Sequence, residues 1–509
     1  MTKIILLVIL ILCTGSSLYA QTVKCTDLTT KSFGAEVKIE SANMVAATAT
    51  TPEHCDVRGT IWPETKFALK LPKEWNQRFI MVGNGGHAGV ISFAAMEPGL
   101  RKGFAAVSTD TGHDAAKEPG ASYAYPGPNN PHAERKRIDF AYLAVHETAV
   151  LAKQIIKAYY GAAPRYSYWQ GCSTGGRQGL MEAQRYPEDF DGLIIGAPAL
   201  NIASGLRNIW NAQALTGPGA IASDKLPVLA QAVYKKCDSG DGLEDGLIDD
   251  PRQCKFDPAV DLPRCTAEAD SPNCFTTAQV ESLKKIYGGV RNSAGKLLFP
   301  GQPLSAEAFG QGRSGWDGYI VGASSANLNL TQSGMRFLSL DPPPGPTWEY
   351  TMFNFDTDPP KLAKWAALAG ATNPDLSKLK QRGGKIIHYH GWADQMLTAF
   401  MSVDYYDSVL AKMGEKAVKD FYRFYLIPGM FHCRGGVGCD TVDWLTAIVD
   451  WVEKGKAPEQ LLGAQVVDGT TKRTRPHCPY PQVARYKGTG SVDAAENFSC
   501  IGPDKAAKR

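Results

Sequence analysis

Beyond its first twenty residues the chain has no uninterrupted apolar run near the roughly 18 residues that a membrane-spanning helix needs, so the rest is expected to stay out of a bilayer. Charge of one sign is also lacking. The 54 Lys and Arg face 51 Asp and Glu, leaving +3 with no long run of either, which announces no polyanion-binding face and makes nucleic acid an unexpected partner. With 44% hydrophobic and 21% charged residues the composition is that of a folded globular protein and excludes general disorder. No CxxC pair of the zinc-ribbon kind occurs, and no repeat marks a solenoid or propeller.

Residues 1–20 carry Lys3, an apolar stretch from Ile4 to Leu12 and a small, polar end at Ala20, the pattern of a secretory signal peptide. Leu18 stands where a small residue is preferred, so cleavage after Ala20 fits imperfectly. Export, to the medium or the periplasm, permits disulfides. Cys13 leaves with the signal, and eleven cysteines follow it, an odd number that leaves at least one unpaired or pairing between chains.

Within residues 65–83, FALKLP and RFIMVG read as strands, the second running into the glycine-rich loop GNGGHAG. Residues 138–160 place Phe140, Ala144, Leu151, Ile155 and Ala158 on one face of a long helix. RYSYWQ then reads as a short strand, GCSTGG as a tight turn and RQGLMEAQRYP as a helix. The apolar run DGLIIGAPA reads as a buried parallel strand. The β/α alternation lapses over 203–370 and resumes with GGKIIHYHGWAD, a helix around 402–412 and the strand FYRFYLIPG. The expected organisation is a signal (1–20), a first core part (21–202), an inserted lid domain (203–370) and a second core part (371–509).

Gly171-Cys172-Ser173-Thr174-Gly175 fits G-x-S-x-G in a strand, turn and helix context, where a strained turn lifts the serine out of the sheet. A glycine-rich turn can carry such a serine without chemistry, so the motif needs partners. Asp394 after one expected strand and His432 after another supply an orienting acid and a base in the order Ser, Asp, His. His146, His388 and His390 are rivals, but they lie within a helix or a strand, where a structural histidine is the simpler reading. Cys172 precedes Ser173 and Cys433 follows His432, so a formed triad brings the two sulfurs to a separation that could suit a disulfide. Cys172 is a weaker nucleophile candidate because it misses the central position of the turn. Backbone N–H groups for an oxyanion are expected at Thr174 and at Gly85 or Gly86. In the insertion, Asp238, Asp241 and Asp245 crowd a glycine-rich loop between Cys237 and Cys254; a solvated loop is one reading and a hard cation the other.

The segments GNGGHAG, GCSTGGRQG, IIHYHGWADQM and IPGMFHC resemble the tannase and feruloyl esterase family, and the likeness extends over most of the chain. That resemblance implies an α/β-hydrolase core with a large lid, a triad of Ser173, Asp394 and His432, and a disulfide between Cys172 and Cys433. It further implies structural Ca²⁺ held by side chains of Asp238, Asp241 and Asp245 and carbonyls of Leu243 and Leu247. By nearness in the chain and by the same resemblance, Cys25 pairs with Cys55, Cys237 with Cys254, Cys265 with Cys274 and Cys478 with Cys500, leaving Cys439.

The expected activity is hydrolysis of esters of aromatic acids, of feruloyl, galloyl or terephthaloyl type. Such a small aromatic ester could be attached to a plant polysaccharide or a polyester fragment. A substrate carboxylate would call for a cation, with Arg313 and Arg336 as candidates, and a plain surface charge is the equal alternative for either. The competing reading is a catalytically silent calcium-binding or carbohydrate-binding protein on a hydrolase scaffold.

Overall fold

A computed structural model describes residues 23–266, 269–305, 307, 315–322 and 325–502. The expected signal with Cys13, and Arg313, lie outside the described residues. The strands are β1 (Val37–Val45), β2 (His54–Ile61), β3 (Thr65–Pro72), β4 (Arg78–Val82), β5 (Ala105–Thr109), β6 (Tyr166–Cys172), β7 (Gly192–Gly196), β8 (Val290–Arg291), β9 (Leu297–Phe299), β10 (Lys385–Gly391), β11 (Tyr422–Ile427), β12 (Leu461–Val467), β13 (Thr470–His477), β14 (Val483–Tyr486) and β15 (Phe498–Ile501). Nine of them make one sheet in the order β1-β2-β3-β5-β4-β6-β7-β10-β11. β1, β2, β3 and β5 pair antiparallel, and from β5 to β11 all neighbours are parallel. This is an α/β-hydrolase core, and its central strands are buried on both faces, as the unbroken apolar runs require.

Register places the functional loops. Cys172 at the end of β6 lies opposite Gly196 of β7, Gly196 lies opposite Tyr389 of β10, and Gly391 lies opposite Ile427 of β11. The chains leaving β6, β10 and β11 therefore emerge level, at the carboxyl edge where open α/β sheets place ligands.

The long helix differs from its sequence reading. It runs as Ala133–Ile138, a π turn at Asp139–Leu143, and Ala144–Tyr160, ending at Gly161 with φ of 76°. A π turn stretches the i→i−4 ladder, and here the carbonyls of Phe140 and Ala141 accept from the Arg177 guanidinium at 3.0 and 2.7 Å.

The insertion enters between β7 and β10. Ile221, Leu229, Val233, Phe275, Leu283, Ile286 and Trp316 form a core of its own. Leu206, Ile209, Met335, Leu340 and Trp348 instead join the core under the main sheet. The insertion is thus part separate body and part cover. The C-terminal hairpins β12-β13 and β14-β15, not read from the sequence, flank the insertion's acidic loop. Five disulfides join Cys25–Cys55, Cys172–Cys433, Cys237–Cys254, Cys265–Cys274 and Cys478–Cys500, and Cys439 is a buried free thiol. Among the described residues no helix is long and apolar enough to cross a membrane.

The glycines around Ser173 serve close packing. A Cβ on Gly171 would meet the Gly175 carbonyl oxygen at 2.5 Å, and one on Gly176 would meet the Gly196 carbonyl oxygen at 2.3 Å and the Pro198 Cα at 2.8 Å. Both obstacles are backbone, so the strand and helix must part to admit a methyl group. Gly176→Ala is expected to destabilise the fold by about 1–3 kcal/mol, checked by thermal unfolding; a melting temperature equal to the parent's would refute the tight packing.

Candidate active site

Ser173 sits between β6 and the helix Thr174–Arg185 with φ of 63°, in a region a non-glycine residue adopts only when its surroundings enforce it. They do so through its backbone. The N–H donates to the Gly196 carbonyl at 3.0 Å, and its own carbonyl accepts from Arg177 and Ala199 at 3.0 and 3.1 Å. The strained turn turns the serine toward a cavity of about 140 Å³ whose wall also carries His432.

Asp394, on the loop after β10, is fully buried. Its Oδ2 accepts from His432 Nδ1 at 2.8 Å, and its Oδ1 accepts the backbone N–H groups of Met396 and Leu397, both at 2.8 Å. Burial alone would raise its pKa, but the charges and hydrogen bonds of His432 and His390 hold it well below the usual carboxylate range. The Gln395 side chain accepts the His432 backbone N–H at 3.1 Å, so the acid loop also fixes the histidine's main chain.

The rival histidines have other duties. Tyr422 O–H lies 2.8 Å from His388 Nδ1, His388 Nε2 lies 3.0 Å from Ser402 Oγ, Ser402 Oγ lies 2.7 Å from His390 Nδ1, and His390 Nε2 lies 3.2 Å from Asp394 Oδ2. An ionised Asp394 can only accept, and with both imidazoles neutral each group in the chain donates toward the carboxylate. His390 is therefore structural in position yet touches the acid. His146 binds Asp189 at 2.6 Å and stacks on Tyr186, away from the cavity.

Thr174 and Gly86 face the cavity together, and Thr174 Oγ1 donates to the Gly86 carbonyl at 2.6 Å. Gly86 has φ of 54°. Gly85 stands beside it but is not among the lining residues. The loop is anchored to the helix Thr174–Arg185 by the Gly175 N–H donating to the Asn84 carbonyl at 2.8 Å.

Phe140, Trp365, Leu338 and Met335 give the cavity an apolar wall, and all of these but Phe140 come from the insertion, as do Asn327, Leu330 and Thr331. The Arg336 candidate is corrected: its guanidinium donates to the Trp348 carbonyl and pairs with Glu349, and it does not line the cavity. Among the described residues the arginine on the wall is Arg177, which the sequence reading missed although it follows the Ser173 turn. Burial pushes it down to about 10.

Cys172 and Cys433 are joined with Cα atoms 5.9 Å apart, so the residues next to Ser173 and His432 are covalently linked. In the acidic loop, Asp238 accepts backbone N–H groups of Asp245 and Gly246, Asp241 accepts that of Leu243 at 3.0 Å, and Asp245 accepts that of Leu247 at 3.1 Å while pairing with Arg475. Burial pushes the carboxyls of Asp238 and Asp245 upward. The unforeseen member is Asp249, pushed far above the usual range by burial and by Asp241 beside it. The three expected carboxylates do not close on one point: among the described residues the one trio of acidic or histidine ligand atoms within 4.8 Å of one another is His146, Glu182 and Asp189.

The family model for tannase and feruloyl esterase matches residues 48–501. A mono(2-hydroxyethyl) terephthalate hydrolase of Piscinibacter sakaiensis is 35% identical over 91% of this chain and 87% of that protein. A probable feruloyl esterase B-2 of Aspergillus fumigatus is 30% identical over 92% and 88%. Among solved structures, feruloyl esterase B from Aspergillus oryzae superposes with a TM-score of 0.80 at 27% identity, covering 94% of this chain and 99% of that one. A level carboxyl edge bearing serine, acid and histidine loops, and a family match along nearly the whole length, lead to one assignment: this chain belongs to the tannase and feruloyl esterase family of carboxylic ester hydrolases.

Proposed function

We propose that this protein is an exported serine esterase that cleaves small esters of aromatic acids through an acyl-enzyme. The observation that carries the reading is the buried Asp394–His432 pair on one cavity with Ser173. Ser173 Oγ attacks the ester carbonyl and its proton passes to His432, while Asp394 holds the imidazole with Nδ1–H toward itself. The Thr174 N–H and an N–H of the Gly85-Gly86 turn receive the oxyanion. Collapse of the tetrahedral intermediate expels the alcohol, which takes the proton from His432, and water then reverses the sequence to release the acid. Asp394 stays ionised because His432, His390 and two N–H groups favour its charge. Its contribution to stability is therefore present above the ordinary carboxylate range and lost only as pH falls through its lowered value.

The flat walls of Phe140 and Trp365 support an aryl acid as the acyl group. The relatives' names span feruloyl esters and a terephthalate monoester, and such an ester could be carried on a plant polysaccharide or a polyester fragment. The signal-like residues 1–20 and the disulfides support an extracellular or periplasmic location. Ser173→Ala is expected to lower ester turnover by about 10⁴-fold or more with the fold intact. Hydrolysis of methyl ferulate, methyl gallate and a terephthalate monoester, with fluorophosphonate labelling, checks this. Near-parental turnover would defeat the mechanism and favour a silent binding protein.

The bridge beside the triad is expected to matter more for rate than for folding, since it fixes the Ser173 to His432 approach. Replacing Cys172 and Cys433 together by serine should lower kcat by about a hundredfold per titrated site, as a shift of about 1 Å can. An unchanged kcat per site would remove that role.

We further propose structural Ca²⁺ in the loop of Asp238, Asp241 and Asp245, with carbonyls of Leu243 and Leu247. The donor set is all oxygen, and burial beside Asp241 disfavours the charged form of Asp249, a cost that a divalent charge would offset. Bound there, the ion would brace the insertion against the hairpin that carries Arg475. Chelation should lower the melting temperature and calcium should restore it; identical melting curves with verified metal removal would contradict the site.

A further inference from the structure

Three consecutive carbonyls of the loop that carries Asp394 are each taken by a side chain of the insertion. Gln302 Nε2 donates to the Asp394 carbonyl at 2.9 Å, Asn327 Nδ2 to the Gln395 carbonyl at 2.8 Å, and the Arg207 guanidinium to the Met396 carbonyl. Arg207 also donates to Gln302 Oε1, which joins two of the three. All three side chains are buried, so each would be costly to leave unpaired.

The far ends of two of these peptide units face the catalytic carboxylate. The Gln395 carbonyl shares a planar peptide with the Met396 N–H, and the Met396 carbonyl shares one with the Leu397 N–H. Both N–H groups donate to Asp394 Oδ1 at 2.8 Å. In a trans peptide the C=O and N–H point in opposite directions, so a grip on the carbonyl sets the aim of the N–H. Arg207 adds a buried positive charge on the outer side of the same unit, and burial pushes it down to about 10.

We propose that Arg207, Gln302 and Asn327 are positioning residues for ester hydrolysis: they hold the outer ends of the peptide units whose inner ends orient Asp394, and through it His432. This rests on the acyl-transfer reading of Ser173, Asp394 and His432. The insertion then does more than shape the substrate cavity, since it completes the acid arm of the triad. The arrangement also accounts for a formally charged side chain buried on a lid helix without a carboxylate partner among its hydrogen bonds.

Arg207 does not line the cavity, so it separates orientation from substrate contact. Arg207→Met, Arg207→Lys and Gln302→Leu are compared in the full-length protein, with active serines counted by fluorophosphonate titration. Arg207→Met should lower kcat per titrated site by about 10- to 100-fold with little change in KM, and Arg207→Lys should recover part of it. With the cation gone and the N–H donors loosened, more of the Asp394 charge is left to His432. The acidic limb of kcat/KM should therefore move to higher pH, and the low-field Nδ1 proton resonance of His432 should shift or broaden. His390, the other titratable group against Asp394, is unchanged in all three variants. If Arg207→Met does not fold, Arg207→Lys and Gln302→Leu carry the same comparison. Fewer titratable sites with parental kcat, pH profile and resonance would mean a structural role only and would overturn the proposal. Retained activity in Ser173→Ala would instead overturn the acyl-transfer reading beneath it.

Discussion

A carboxylate removed from water must be matched donor for donor, and the architecture is arranged around meeting that demand at Asp394. Its four partners come from different parts of the chain: His432 from the loop after β11, His390 from the end of β10, and two N–H groups from its own loop. Charge-assisted hydrogen bonds of this kind are the strong ones, and leaving any of them unmade in a dry site is costly. The parallel register that brings β6, β10 and β11 out level is therefore only half of the site's construction. The other half is the supply of donors, and behind His390 it reaches through Ser402 and His388 to Tyr422.

The chain announced the parts of this that are local. The strands on either side of the Ser173 turn, the apolar runs before Asp394 and His432, and the cysteines beside Ser173 and His432 can be read because each signal is contiguous. The histidines in β10 were read as structural, and they are, but a strand pattern does not say that the second touches the acid. Arg207, Gln302 and Asn327 left no trace in sequence because their partners are main-chain carbonyls 68 to 189 residues away, and any residue can offer a carbonyl. The π turn was invisible for the same reason: its compensation by Arg177 is a contact between a side chain and distant backbone. Arg336 illustrates the opposite case: of its two readings, substrate cation or plain charge, location in the insertion cannot choose, and in the structure it is spent on Glu349 and the Trp348 carbonyl.

The acidic loop and the C-terminal hairpins read each other in a similar way. Arg473 donates to the Asp245 carbonyl at 2.9 Å and Arg475 pairs with the Asp245 carboxylate. Two segments separated by more than two hundred residues thus share one patch of charge. Composition reported near-neutrality for the whole chain, which hides a local concentration of carboxylates held by a local supply of arginine.

Cys439 lies six residues beyond Cys433 (439 − 433). In an unfolded chain, closing a loop from Cys172 to either one costs nearly the same entropy, because that cost grows only with the logarithm of length. Chain statistics therefore cannot choose the partner of Cys172 during oxidation. The folded structure removes the competitor by enclosing it: Cys439 is buried, its carbonyl accepts from His477 at 2.7 Å, and desolvation pushes its thiol up to about 11, where the reactive thiolate is scarce. The β13 hairpin thus encloses the thiol that lies nearest in sequence to Cys433, and the sulfur that remains to Cys172 is the one bonded to it beside Ser173.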